Sequence, residues 1–494
     1  MVLWTLVSLT GLAPRPLRAP SPQRCVQPRA SADVAGATTA TASVDAAVDS
    51  AVAALQPTFA AIDRQTEAQL RRVLDVFRKH EVGAHHFAGV DGYGHGDLGR
   101  ETLDSIYAEL LGAEAAIVRV QCFSGTHAIA CALFGVLRPG QELLGVSGAP
   151  YDTLEEVIGL RGRTDDGLVG TLADFGVTYR QVELAPGGTF DLEAIDAALA
   201  GEAGAAVRML HVQRSCGYAW RPSISVDEIG RLARWLERHH PQLVLFVDNC
   251  YGEFVEPLEP CAVGAHLVAG SLIKNPGGTL APSGGYVAGR ADLVAAAGRR
   301  LSAPGVSGGA TLGCNRALFQ GLFNAPHVVG EALKGAHLVA ATLGGLGYEC
   351  NPPAGGAAHR TDIIQAVKLG EREKVLAFCR AVQRCSPVGA SILPVPGVTP
   401  GYGDEVIFAD GTFVDGSTIE LSADGPLREP YAVYVQGGTH WTHWSIVLRE
   451  ALRDMGPAWA DPEGGDGAGR EGTAGSSMAE AEATYAGRKG LKNG

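Results

Sequence analysis

Phe59, Ile62, Leu70, Val73, Leu74 and Phe77 fall on one helical face just after Pro57, so the folded body is expected to begin near Leu55. From there, short apolar runs alternate with amphipathic segments. Leu103, Ile106, Tyr107, Leu110 and Leu111 keep helical spacing up to Gly112, and residues 115–120 then read as a buried strand. A helix over 126–137 stops at the Arg138-Pro139-Gly140 turn, and a strand over 142–146 follows. The pattern predicts further strands over 177–184, 207–212, 243–247, 266–269 and 431–435, with helices near 191–200 and 225–239. Runs that are apolar at nearly every position belong to strands covered on both faces. The chain is therefore expected to form an α/β fold around a mostly parallel sheet. Ligands of such sheets bind beyond the carboxyl ends of the strands, so those positions deserve the closest reading.

Composition narrows the range of functions. With 494 residues and 46% hydrophobic residues the chain is long enough for two domains, and its net charge of −13 disfavours nucleic acid and anionic lipid as partners. No apolar run reaches the roughly 18 residues of a membrane span. The ten cysteines stand singly with no C-x-x-C pair, which argues for a reducing compartment and against a metal centre. Residues 1–30 carry four arginines and no acid, the composition of an organelle transit peptide. A secretory signal is the competing reading, since residues 3–12 are fairly apolar, but no basic residue precedes them; a chloroplast destination is expected ahead of a mitochondrial one, with the cytoplasm as the alternative if the segment is no leader. Residues 31–54, rich in Ala, Thr, Ser and Val, read as a linker. The Gly, Ala and Glu-rich residues 456–494 read as a disordered tail.

Three strand ends carry candidate chemistry. After the strand at 115–120, Ser124, Gly125, Thr126 and His127 open directly into a helix, where free backbone amides and the positive helix end suit a phosphate. Taken alone, this is equally an ordinary helix cap. After 243–247 comes Asp248, which alone reads more readily as a cap or a buried ion pair. After 266–269 comes Gly270-Ser271-Leu-Ile-Lys274-Asn-Pro-Gly-Gly278, which sets a lysine in an apolar turn where lysine is rarely left without a purpose. Together the three fit pyridoxal phosphate (PLP). That cofactor requires an amine to bind its aldehyde, an acid beside its pyridine nitrogen and a phosphate cup. Lys274, Asp248 and the Ser124-Gly125-Thr126 loop supply these, and Ser271 adds a phosphate donor.

The order of phosphate loop, aspartate and Ser-x-x-Lys resembles the fold type I, aminotransferase-like PLP enzymes. Within them it is nearer to the cysteine and methionine metabolism branch that contains cystathionine and methionine lyases. The resemblance implies a three-layer sandwich, with an N-terminal arm and large PLP-binding domain over 55–330 and a smaller C-terminal α/β domain over 331–455. In that branch a Tyr-x-Arg segment from the neighbouring subunit precedes a helix and the phosphate loop. Tyr93-Gly94-His95, with histidine in place of the arginine, is similar, and implies a homodimer or homotetramer in which Tyr93 completes the neighbour's site. Pro150-Tyr151-Asp152-Thr153 is similar to the branch's ring-stacking segment and implies that Tyr151 lies on the cofactor ring, placed to protonate a departing thiolate. The segments His211-Val-Gln-Arg-Ser-Cys-Gly-Tyr-Ala-Trp-Arg-Pro222, Asp248-Asn-Cys-Tyr-Gly-Glu-Phe254, Lys274-Asn-Pro-Gly-Gly278 and Arg428-Glu-Pro-Tyr431 are closer still. By them the chain is identified as a member of the methionine gamma-lyase-like family, whose members are often called aluminium resistance proteins. The resemblance implies a carbon-sulfur lyase acting on a sulfur-containing amino acid by β- or γ-elimination.

An amino-acid carboxylate calls for a bidentate cation, for which Arg428 is the first candidate and Arg214 the second. A surface salt bridge is the competing reading of Arg428. Transamination, decarboxylation or retro-aldol cleavage on the same cofactor, and a PLP-binding regulatory or stress protein without turnover, remain open. Gly92-Tyr-Gly94-His-Gly96 follows no strand and is no dinucleotide fingerprint. His440 and His443 have the spacing of a metal pair but lack a third ligand nearby, and no metal is expected. His127 is a second candidate for stacking on the ring.

Overall fold

Residues 34–161, 169–306, 308–355, 360–399 and 401–456 are described in this computed structural model. The expected leader over 1–30 and the tail over 457–494 lie outside them. Contacts divide the chain into Met1–Ser43, described only as the opening turns of the first helix, and Val44–Gly494.

That helix, α1 (Val34–Lys79), corrects the expected linker. Val44, Val48, Ala51, Leu55 and Phe59 recur at spacings of three and four and are buried in one cluster with Trp444 and Leu448. Pro57 lies inside the helix, so it marks no boundary. The alanine-rich composition that reads as a linker is also the best helix-forming composition once an apolar stripe has something to cover.

The chain continues through α2 (Leu98–Leu111), β1 (Ala115–Arg119), α3 (Gly125–Val136), β2 (Glu142–Gly145), α4 (Asp152–Ile158) and β3 (Thr178–Gln181). Then come α5 (Leu192–Leu199), α6 (Gly201–Ala205), β4 (Val207–Gln213), α7 (Val226–His239), β5 (Val244–Asp248), β6 (Leu267–Ser271), β7 (Gly285–Gly289) and α8 (Ala291–Leu301). The seven strands form one sheet in the order β1-β7-β6-β5-β4-β2-β3. The ladders from β3 to β6 are parallel, and only β7 runs antiparallel to its neighbours.

Alternation along each strand explains the continuous apolar runs. Leu143, Met209, Phe246 and Leu267 face one core with Ile129 and Leu133 of α3 and Leu293 of α8. Leu144, Leu210, Leu245 and Val268 face another with Ile106 of α2 and Leu232 of α7. The result is the expected three-layer sandwich. In register, Gln213 lies beside Asp248, and Asp248 beside Ala269, so the carboxyl ends of β4, β5 and β6 form one rim.

The boundary expected at 330 falls inside α9 (Asn315–Gly345), and a second sheet begins only after that helix. It contains β8 (Glu349–Asn351), β9 (Gln365–Lys368), β10 (Gly397–Val398), β11 (Glu405–Ala409), β12 (Ser422–Pro426) and β13 (Ala432–Gln436), ordered β10-β11-β12-β13-β9-β8. All its ladders are antiparallel. Helices α10 (Arg372–Arg384) and α11 (Trp441–Met455) share its core. No helix among the described residues is long and apolar enough to cross a membrane.

Candidate active site

A cavity of about 310 Å³ opens at the rim of the first sheet, with one wall supplied by the second. Its lining includes Ser124, Gly125, Thr126, Tyr151, Asp248, Ser271 and Lys274, so the structure brings together every expected site residue except Tyr93 and Arg428.

The turn that carries Lys274 is set by backbone crowding. A Cβ on Gly278, at φ +49°, would lie 2.2 Å from the Gly321 carbonyl oxygen, so only glycine lets the turn rest on α9. Lys274 stands at the head of this turn. Its Nζ donates to the Tyr251 hydroxyl at 2.6 Å and to the Ser417 carbonyl at 2.9 Å. Ser417 belongs to the second-sheet side, and the Ile419 amide donates to the Ile273 carbonyl at 3.1 Å, so the lysine lies where the two sheets meet. Tyr251 has φ +71°, an uncommon conformation for a tyrosine and one that clusters at functional sites.

Asp248 ends β5 and is buried. Its Oδ1 accepts from the Cys250 amide at 3.1 Å. Burial pushes its pKa up, while the Cys250 hydrogen bonds and the Lys274 charge act against that rise. A cation at this carboxylate, such as a protonated pyridine nitrogen, would offset the cost of burying it.

The phosphate cup passes a direct test. Ser124 caps α3, its Oγ accepting from the His127 amide at 3.2 Å, which leaves the first helical amides directed outward. A Cβ on Gly125 would lie 3.0 Å from that of Ser271, so glycine is what lets this helix end approach β6. Ser271 is buried and its Oγ has no hydrogen-bond partner among the described residues. An orphaned hydroxyl facing a helix N-terminus, with an amine and a carboxylate in the same cavity, fits PLP.

Tyr151 precedes α4, and its hydroxyl lies 2.7 Å from that of Tyr402. Burial, with Tyr402 and Asp424 nearby, holds its phenol well above the ordinary value, so it is protonated at neutral pH. Tyr93 is 66% exposed and stacks on His95, 5.6 Å between ring centres, outside this cavity. Arg428 also lies outside it and is paired with Asp404, the surface salt bridge that was its competing reading. Arg214 is wholly buried and held by Glu256 and Asn249, which makes it structural. His127 accepts the Phe123 amide at 3.1 Å, while His440 caps α11 and His443 bonds the Cys385 carbonyl.

Sequence reasoning missed Tyr218, Tyr251, Tyr402, Asp424 and Tyr434, which also line the cavity. Tyr218 and Tyr251, each inside a segment already singled out, carried a usable signal.

The methionine gamma-lyase family profile matches residues 44–456. The chain is 49% identical to the uncharacterized protein YnbB of Bacillus subtilis, over 80% of this chain and 92% of that one. A crystal structure of a carbon-sulfur lyase involved in aluminum resistance from Clostridium novyi NT superposes with a TM-score of 0.78 at 40% identity, covering 85% of this chain and 97% of that one. The PLP-dependent protein YhfS of Escherichia coli shares the fold, with a TM-score of 0.54 at 18% identity over 79% and 97% of the two chains. These relatives are bacterial, which overturns the organelle destination expected from residues 1–30. An arginine-rich, acid-poor composition is a weak address when nothing else supports it. Fold, cavity and sequence agree, and the chain belongs to the methionine gamma-lyase family of fold type I enzymes, carbon-sulfur lyases whose cofactor is PLP.

Proposed function

We propose that this enzyme cleaves the carbon-sulfur bond of a sulfur-containing amino acid, releasing a thiol, a 2-oxo acid and ammonia. The observation that carries the reading is the Lys274 amine facing a cavity that also holds Asp248, Ser271 and the start of α3.

The chemistry the cofactor supplies when bound is an electron sink for the substrate's α-carbon. Lys274 serves first as the attachment point and then, once freed, as the base that takes the α proton. Asp248 holds a proton at the pyridine nitrogen and so stabilises negative charge that develops during the reaction. The amides at the start of α3, with the Ser271 hydroxyl, hold the phosphate. The Tyr151 hydroxyl, kept protonated by its burial, gives its proton to the departing sulfur.

Purified protein should show visible PLP absorption, and borohydride reduction should fix the cofactor to Lys274. L-Methionine, L-cystathionine and L-cysteine should then be compared for 2-oxo acid release. Transfer of their amino groups to an acceptor, without 2-oxo acid release in the acceptor's absence, would replace the lyase reading with transamination. Reduction of a different lysine would refute the site.

A further inference from the structure

The wall of the cavity supplied by the second sheet has a composition that the elimination chemistry does not require. Asp424 lies within β12 and is only 8% exposed. Among the described residues it forms no salt bridge; the Tyr218 hydroxyl favours its charged form most, by a hydrogen bond, and the only cation that does so is Lys274. That amine is already bonded to Tyr251 and the Ser417 carbonyl, and binding the cofactor would engage it further. Asp424 is then a buried carboxylate without a cation, an expensive arrangement unless something arrives to pair with it.

Tyrosines surround it. The rings of Tyr151, Tyr218 and Tyr402 contact one another, with centroids 5.7 Å apart for Tyr151 and Tyr218 and 5.9 Å for Tyr218 and Tyr402. Tyr434, opposite Asp424 on β13, closes the group at 5.1 Å from Tyr218. Aromatic rings beside a carboxylate add to its attraction for a positive charge, and both the ring quadrupole and direct ion pairing are strengthened by low exposure to water. The cavity as a whole leans the same way. Lys274 is its only cationic lining residue among those described, against Asp248, Asp415 and Asp424.

We propose that Asp424 and its tyrosine wall form a subsite for an ammonium group at the far end of the substrate's departing thiol, so that the enzyme prefers thioether amino acids with a positively charged terminus over neutral ones of equal length. This rests on the lyase reading above and specifies its substrate class. The neutral thioether of methionine gives the subsite nothing to pair with, whereas a second amino group places its charge beyond the sulfur, away from the reacting carbons.

Two substrates of matched length and shape test it on the holoenzyme: S-(2-aminoethyl)-L-cysteine and S-propyl-L-cysteine. The expected result is a kcat/KM at least tenfold higher for the aminoethyl compound, carried mainly by KM. Asp424→Asn at equal cofactor occupancy should bring the ratio close to one, and Asp424→Glu should retain part of it. A parent ratio of one or less overturns the proposal, as does a ratio that Asp424→Asn leaves unchanged. The parent ratio alone decides if the variants do not fold. Should neither compound release 2-oxo acid, β-elimination from these thioethers is excluded, and the lyase reading is decided by L-methionine and L-cystathionine. Titrating both against the cofactor absorbance then decides the subsite on its own, equal affinities overturning it and tighter binding of the ammonium compound upholding it.

Discussion

At the residue scale, the roles proposed for Lys274 and Asp248 are separable. Lys274→Ala removes both the attachment point and the base, so turnover should vanish. Asp248→Asn retains the phosphate cup and therefore binds cofactor, but an amide cannot hold a proton on the pyridine nitrogen as a carboxylate does. A fall in kcat of about 10²-fold or more at equal cofactor occupancy is expected, scored by 2-oxo acid release. An Asp248→Asn enzyme as fast as the parent would remove the proposed ring-nitrogen role. Asp424 allows a second test, in stability. Burial pushes its pKa from 3.8 up to about 7. Because the folded value lies above the unfolded one, the stability linked to the protonated acid is fully present below about pH 4 and is lost as pH rises towards 7. Asp424→Asn should therefore gain on the parent between pH 5 and pH 8 by on the order of 2 to 3 kcal/mol, read from thermal unfolding of the apoprotein. An equal difference at both pH values would show that Asp424 does not carry this burden. The two aspartates also mark how far the sequence could be read. Asp248 interrupts a row of apolar residues and is visible for that reason, whereas Asp424 sits in Ser-Ala-Asp-Gly-Pro, a strand with no apolar run around it.

At the scale of elements, strands β1, β2 and β4 to β6 and helices α2, α3, α5 and α7 were legible because their apolar positions keep the period of the structure they form. The second sheet was largely not. Strands β8 and β10 are three and two residues long, and β12 is Gly- and Pro-bearing, so pairing across distant sequence defines them more than local pattern does. The tyrosines of the cavity wall share that difficulty, because Tyr151 and Tyr402 meet only through tertiary folding. The misreading of residues 34–54 has a different origin. Helix α1 is committed to one face by Val44, Val48 and Leu55, and its acidic side pairs with α11 through Arg449 to Asp45 and Asp49 and Arg453 to Asp45. Leu55→Ala, a truncation inside this buried stripe, should cost about 2–5 kcal/mol and lower the Tm measurably. A linker residue would tolerate the change, so an unaltered Tm would restore the linker reading.

At the scale of the whole molecule, the location of Tyr93 leads to a quaternary prediction. Its side chain is largely exposed, it sits outside its own Lys274 cavity, and its backbone carbonyl accepts from Gly309, which fixes the segment to the glycine-rich stretch at 308–313. An exposed tyrosine on an anchored arm is suited to entering a site on another copy of the chain, as the resemblance of Tyr93-Gly94-His95 to the cross-subunit arm implies. Light scattering should then report at least a dimer, and closed two-fold symmetry would give each dimer two such exchanges. Complementation provides the sharper measurement. If Tyr93→Ala and Lys274→Ala are each inactive as homo-oligomers, a mixed dimer contains one site with an intact Lys274 and an intact Tyr93, and one site with neither. Random reassortment of equal amounts makes half the dimers mixed, so activity should recover to about a quarter of the parent value. If Tyr93 served its own subunit, every site in the mixture would still carry one defect and no activity would return. Recovery on mixing, from two proteins that do nothing separately, is the outcome that a shared active site requires.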